Sequence, residues 1–154
     1  MKVIIYTDGS ARGNPDGPGG YGTVLQFTDS KGQLHEREFS AGYKKTTNNR
    51  MELTAAIQAL SIIKNTPGFS ESPVTLNIDS QYVKNGITVW IKGWKAKGWR
   101  TADKKPVKNQ DLWVQLDALN ASLNVSWNWV KGHAGIQYNE ICDQLCQEEI
   151  KKHR

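Results

Sequence analysis

The chain has 154 residues, 38% of them apolar and 23% charged, with a net charge of +5. That is the size and balance of one globular domain with a proper core, residues 1–154, and no apolar stretch reaches the roughly 18 residues of a membrane span. The chain enters a strand at once, which leaves no room for a signal peptide, and the only cysteines, Cys142 and Cys146, read as small core residues of a protein in a reducing cytoplasm.

Val3 to Tyr6 is an unbroken, mostly β-branched apolar run, the pattern of a strand buried on both faces and therefore central in a sheet. It ends in Asp8 and Gly9, which puts a carboxylate at a rim of that sheet. The segment from Gly9 to Gly20 is expected to be a sharply turning loop. It lacks the Gly-x4-Gly-Lys-Ser pattern of a phosphate-binding loop. Its glycines serve turns or a close approach to a ligand, with Ser10 and Asn14 as polar handles. Tyr21–Phe27 and Gln33–Gly42 alternate about the turn Asp29-Ser30-Lys31-Gly32 and predict a hairpin beside the first strand.

Thr46 to Asn49 offers several capping residues, and Leu53, Ala56, Ile57, Leu60 and Ile63 then recur at helical spacing up to Asn65. Glu52 lies early in this helix, where an acid usually offsets the helix dipole. Val74–Ile78 predicts a second short strand ending in an acid, Asp79, with Ser80 capping a short helix through Val83. Ile87 to Lys97 reads as helical, a basic loop begins at Gly98, and Leu112, Trp113, Leu116 and Leu119 mark another helix after Asn109. Leu123 to Val130 alternates as a strand, Lys131-Gly132-His133-Ala134-Gly135 is a small-residue loop presenting one histidine, and a last helix from Asn139 carries Asp143 beside its apolar stripe. These elements read as a single α/β domain.

Four acids thus come from four elements: Asp8, Glu52, Asp79 and Asp143. If they converge, their mutual repulsion calls for cations, and carboxylates without cysteine or a neighbouring histidine favour magnesium or manganese over zinc. Spacing alone does not bring them together, and chance remains the simplest account of any one. The positive charge is local: Lys84 to Lys108 holds eight basic residues and a single acid, Asp103, so the rest of the chain is net negative. Such a patch suits a polyanion. An acidic cluster beside it suits a phosphodiester, with two metals roughly 3.5–4 Å apart flanking one phosphate. His133, with an unperturbed pKa near 6.5, would assist proton movement.

Several stretches resemble bacterial type I ribonuclease H over nearly the whole length. They are Tyr6-Thr7-Asp8-Gly9-Ser10, Gly13-Asn14-Pro15, Thr46-Thr47-Asn48-Asn49-Arg50-Met51-Glu52-Leu53, Asp79-Ser80-Gln81-Tyr82-Val83, Lys104 to Asn109 with Asp111-Leu112-Trp113, Trp129 to Gly135, and Cys142-Asp143. The resemblance implies a ribonuclease H-like fold, a mixed five-stranded sheet with helices on both faces. It implies Asp8, Glu52, Asp79 and Asp143 as metal-binding catalytic acids holding two Mg2+ ions, with Mn2+ as a substitute, and His133 as a helper in proton transfer or product release. It implies that Asn14, Asn48, Asn49 and Gln81 contact an RNA/DNA hybrid in its minor groove and that Thr47 and Arg50 hold a DNA phosphate. Trp90 and the basic segment after it, with Lys95, Lys97 and Arg100, resemble the family's substrate-binding handle. The implied activity is hydrolysis of the RNA strand by a monomeric cytoplasmic endonuclease with no membrane partner. Ile136-Gln137-Tyr138 departs from the more polar residues or proline that relatives often carry there. A non-catalytic hybrid-binding module and a DNA-directed nuclease are the competing readings. Loss of one of the four acids would mark the first, and none is lost.

Overall fold

The computed structural model describes residues 2–13, 16–101, 103–130 and 137–153. Five strands, β1 (Val3–Ala11), β2 (Gly17–Thr28), β3 (Leu34–Thr46), β4 (Val74–Ile78) and β5 (Val125–Trp129), form one sheet in the order β3-β2-β1-β4-β5. β1 is central. It pairs antiparallel with β2 and parallel with β4, so the sheet is mixed. Val3 and Ile5 are wholly buried on one of its faces, while Ile4 and Tyr6 are half-buried on the other.

Helices cover both faces. α1 (Asn48–Asn65) packs on β1 and β2, with α4 (Gln110–Ser122) against it. α5 (Gln137–Lys152) lies across β1, β2 and β3 on the opposite side. The apolar stripe expected for α1 is all in the core, and the helix runs to Asn65 as its spacing predicts. Thr47 caps it by accepting a hydrogen bond from the Arg50 amide at 3.2 Å. Each Leu or Ile so buried contributes about 1.5–3 kcal/mol relative to exposure. α2 (Gln81–Asn85), a π-helical turn (Gly86–Trp90) and α3 (Ile91–Ala96) follow one another without a break. The sequence pattern did not predict the π turn. A Cβ at Gly86 would fall 2.0 Å from the ring of Trp113, a wholly buried residue of α4. The missing side chain is what lets this segment lie against the core.

Two expectations are corrected. β1 does not stop at Asp8. It continues to Ala11, because β2 goes on pairing with it through Asp8–Gly22, Gly9–Tyr21, Ser10–Gly20 and Ala11–Gly19. The stretch read as a loop is therefore mostly strand; Gly13, at φ +100°, keeps the turning role, while bare positions in β2 have another purpose. A Cβ at Gly20 would meet Cβ of Glu149 at 2.6 Å, and one at Gly22 would meet the Cys142 carbonyl oxygen at 2.4 Å. Bare backbone in β2 is the surface on which α5 rests, helped by thiol hydrogen bonds from Cys142 to the Tyr6 carbonyl and from Cys146 to the Gly20 carbonyl.

Candidate active site

The parallel ladder between β1 and β4 ends at the pair Thr7–Ile78. The next residue in each strand direction is an acid, Asp8 on one side and Asp79 on the other. Two carboxylates thus sit side by side where parallel strands finish, the edge at which α/β sheets open a crevice. Polar side chains lock the strand ends beneath them. Asn77 donates to the Ile5 carbonyl at 3.3 Å and accepts from Asn128 at 2.7 Å, which ties β1, β4 and β5 together.

Glu52 reaches the same point from α1. It is buried at 8% exposure and lies beyond the helix's first turn, so the dipole role expected for it gives way to a place in the interior. Its Oε1 accepts from the Gly9 amide at 3.0 Å, and that amide also lies 3.0 Å from Oδ1 of Asp8. Gly9 makes the approach possible: a Cβ there would lie 2.5 Å from the backbone of Met51. Carboxylate oxygens of Asp8, Glu52 and Asp79 lie within 4.8 Å of one another. Burial, and then the charges of Asp8 and Asp79, push the Glu52 carboxyl well above its ordinary pKa, against the favourable Gly9 hydrogen bond. Oε2 of Glu52 is buried with no hydrogen-bond partner. Three hard oxygen donors, one with an unused buried lone pair and all repelling one another, are a set that fits a hard divalent cation.

Asp143 does not join this 4.8 Å group. It is half-buried on α5, directly after the Cys142 that is pinned to the Tyr6 carbonyl, and its charge, like those of Asp8 and Glu52, bears on the Cys146 thiol. It stands on α5, across the sheet from the helix that carries Glu52. His133 and Asn14 lie outside the described residues.

The other expected substrate contacts form two groups. Asn48 and Asn49 are exposed at the start of α1, and the side chain of Asn48 accepts from the Ala11 amide, which links that helix start to the end of β1. Thr47 is occupied as the cap. Arg50 forks onto Asp111 at 2.8 and 3.1 Å and donates to Asn109 at 3.2 Å. Gln81 is exposed at the first position of α2. Trp90 is 39% exposed and meets Tyr82 edge-on and Trp94 at a tilt, in a network of rings that continues to Trp99 and Trp113. Lys95, Lys97 and Arg100 are exposed beyond it, with Lys95 paired to Asp117 at 3.1 Å.

The family model RNase H matches residues 1–151. The chain belongs to the ribonuclease H family. Among its relatives, Ribonuclease H of an Escherichia coli O127:H6 strain is 56% identical over 146 residues, which cover 95% of this chain and 87% of that one. Ribonuclease H of Yersinia pestis strain Pestoides F is 54% identical over 147 residues, covering 96% and 88%. A solved structure of LC9-RNase H1, a type 1 RNase H with the type 2 active-site motif, superposes with a TM-score of 0.87 at 30% identity, over 99% of this chain and 74% of that one. The mixed five-stranded sheet is the ribonuclease H fold, and membership makes this chain an enzyme, a nuclease of the hydrolase class. Within that ribonuclease H frame two supports of the site went unread in the sequence. Gly9 admits Glu52, and Trp129 donates its indole N–H to the Asp79 carbonyl at 3.0 Å. The β4–β5 register, which sets Trp129 opposite Ile78, is the signal that locates the second.

Proposed function

We propose that this protein hydrolyses the RNA strand of an RNA/DNA hybrid endonucleolytically, with magnesium as two ions or manganese in their place. The convergence of Asp8, Glu52 and Asp79 within 4.8 Å, with Oε2 of Glu52 unpartnered, carries this reading. When bound there, divalent cations supply charge neutralisation at the phosphate and a more acidic water. Asp8, Glu52 and Asp79 hold them, and Asp143 completes the set from α5. The water oxygen bonds to phosphorus as the bond to the 3′ oxygen breaks, so the products carry 5′-phosphate and 3′-hydroxyl ends. His133 takes up or passes on the proton. Hydrogen bonds with the 2′-hydroxyl tell RNA from DNA at the cut.

Asn14, Asn48, Asn49 and Gln81 read the hybrid from its minor groove, and Thr47 with Arg50 grips a DNA phosphate. For that grip, phosphate oxygens share or replace the Asp111 carboxylate on the guanidinium fork, a substitution of one bidentate acceptor by another. Trp90, Lys95, Lys97 and Arg100 hold the backbone further along. Residues 1–154 act as a single domain and a monomer, and the free buried Cys142 and Cys146 suit a cytoplasmic location.

The test is incubation with labelled RNA/DNA, RNA/RNA and DNA/DNA duplexes, with magnesium, manganese or a chelator. Cleavage confined to the RNA of the hybrid and abolished by chelation is expected. Chelator-resistant cleavage, or cleavage of DNA duplex, overturns the proposal.

A further inference from the structure

Asp79 lies between the last residue of β4, Ile78, and the cap of α2, Ser80, so it belongs to neither the ladder nor the helix. A carboxylate that must meet a cation needs a fixed backbone, and at this corner the fixing comes from β5. The Val130 amide donates to the Ile78 carbonyl at 2.9 Å, and the Trp129 indole N–H donates to the Asp79 carbonyl at 3.0 Å. The indole is itself held: Nζ of Lys84, on α2, lies 5.4 Å from its ring centre, within the range of a cation–π contact. Trp127 shares the strand face with Trp129, but its indole donates to Asn120 at 2.9 Å, in the α4–β5 corner away from the acids. Only the second of these two indoles serves a residue of the cluster.

We propose that Trp129 is a positioning residue for Asp79, its N–H fixing the peptide from which the carboxylate reaches the cation. The inference rests on Asp79 being a cation ligand, as in the proposed function. Groups that orient a ligand rather than bind the ion typically cost about 10–100-fold in metal affinity or activity when removed. A backbone hydrogen bond that leaves the carboxylate in place belongs at the lower end, about tenfold.

The experiment replaces Trp129 in the full chain by Phe, which keeps a ring and removes the N–H, and in parallel by 3-benzothienylalanine, which keeps the bicyclic shape and puts sulfur where the N–H was. Binding of magnesium and of manganese is measured by calorimetry without nucleic acid, and the metal-induced rise in Tm is recorded. Magnesium dependence of hybrid cleavage is measured alongside. Both variants are expected to bind the cations about tenfold more weakly, to need more magnesium for half-maximal rate, to keep the wild-type KM for the hybrid, and to regain kcat at high magnesium. Unchanged cation affinity, or a fall in kcat that magnesium does not restore, makes Trp129 a packing residue and overturns the proposal. The benzothienyl variant decides the matter if Trp129→Phe fails to fold. Lys84→Met retains the indole and should shift cation affinity less; an equal shift would assign the effect to the ammonium and also overturn it. A wild-type protein that neither binds the cations nor cleaves the hybrid removes the functional reading itself, whereas one that does both beside unaltered variants removes only the role of Trp129.

Discussion

The acid cluster and the basic handle obey opposite physical demands. Asp8 and Glu52 are almost wholly buried, held by a glycine amide and crowded by like charge. The handle is a run of short helical pieces with Val89 at 64% exposure and Trp90 at 39%, and Lys92, Lys95, Lys97 and Arg100 are exposed on it. Burial makes each charge in the cluster strongly felt by its neighbours, whereas exposure lets the handle's charges be screened and rearranged. The cluster suits one fixed geometry, and in the proposed function the handle meets a long, repetitive polyanion. Substitutions in the first should therefore act on chemistry and in the second on binding.

The largest expected effect separates them directly. Asp8→Asn, Glu52→Gln and Asp79→Asn each remove a ligand charge without changing shape. Each should nearly abolish cleavage, a loss beyond the about 10²–10⁴-fold of general acid–base help, and leave hybrid affinity near wild type. Single-turnover cleavage and filter binding on one hybrid check both halves. Near-normal magnesium-dependent cleavage by any of the three would take that residue out of the catalytic set. His133→Ala probes the proposed proton helper. A proton helper contributes about 10²–10⁴-fold, so kcat should fall while KM and the magnesium requirement persist. Steady-state kinetics beside an unfolding curve decide between this role and a structural histidine, which would show mainly as reduced stability.

The handle should answer differently. Lys95→Ala, Lys97→Ala and Arg100→Ala together should weaken hybrid binding and flatten its salt dependence, by about 0.7–0.9 in log–log slope for each phosphate no longer neutralised. Lys95 must leave Asp117 to reach a phosphate, and the Arg100 guanidinium already donates to the Lys104 carbonyl, so the three side chains should contribute unequally. Binding isotherms at several salt concentrations measure the slope. A collapsed kcat with unchanged KM would mean that the segment serves the chemistry after all.

What could be read from the sequence divides along the same line. The stripe of α1 and the β-branched run of β1 are local patterns, and both elements form over those residues, although β1 runs on to Ala11. The handle's charge is a plain count along the chain. The cluster is a matter of partners far apart in sequence. Glu52 resembled a dipole-compensating acid because its bond to Gly9 spans 43 residues. Gly20 resembled a turn residue because the helix that needs it bare, α5, begins more than a hundred residues later. Arg50 carried no local sign of Asp111, 61 residues away. The four acids could be picked out along the chain, and the motif resemblance is what implied that they act together.

The smallest effect tests whether the cluster is strained by its own charge. In the metal-free folded protein, burial and the charges of Asp8 and Asp79 hold the Glu52 pKa well above its ordinary value, while in the unfolded chain it returns to about 4.3. Between those two values the folded state keeps a proton that the unfolded state releases. Stability then falls as pH rises, since its slope follows the protons bound by the unfolded state minus those bound by the folded one, and the loss is complete above the folded pKa. Glu52→Gln cannot ionise and removes this penalty. With a chelator present, the Tm of the variant should match wild type near pH 4 and exceed it increasingly towards neutrality. The gap should be a few degrees, because about 1 kcal/mol moves the Tm of a chain of this size by about 2–4 °C. Magnesium should close or invert the gap, because a cation that binds only the folded state stabilises the protein with the stronger ligand set. Melting curves across pH, with chelator and with magnesium, measure all three. A variant less stable than wild type at neutral pH without metal would show that the hydrogen bond from Gly9 outweighs the repulsion, and that the cluster is held together by its amide rather than waiting for a cation.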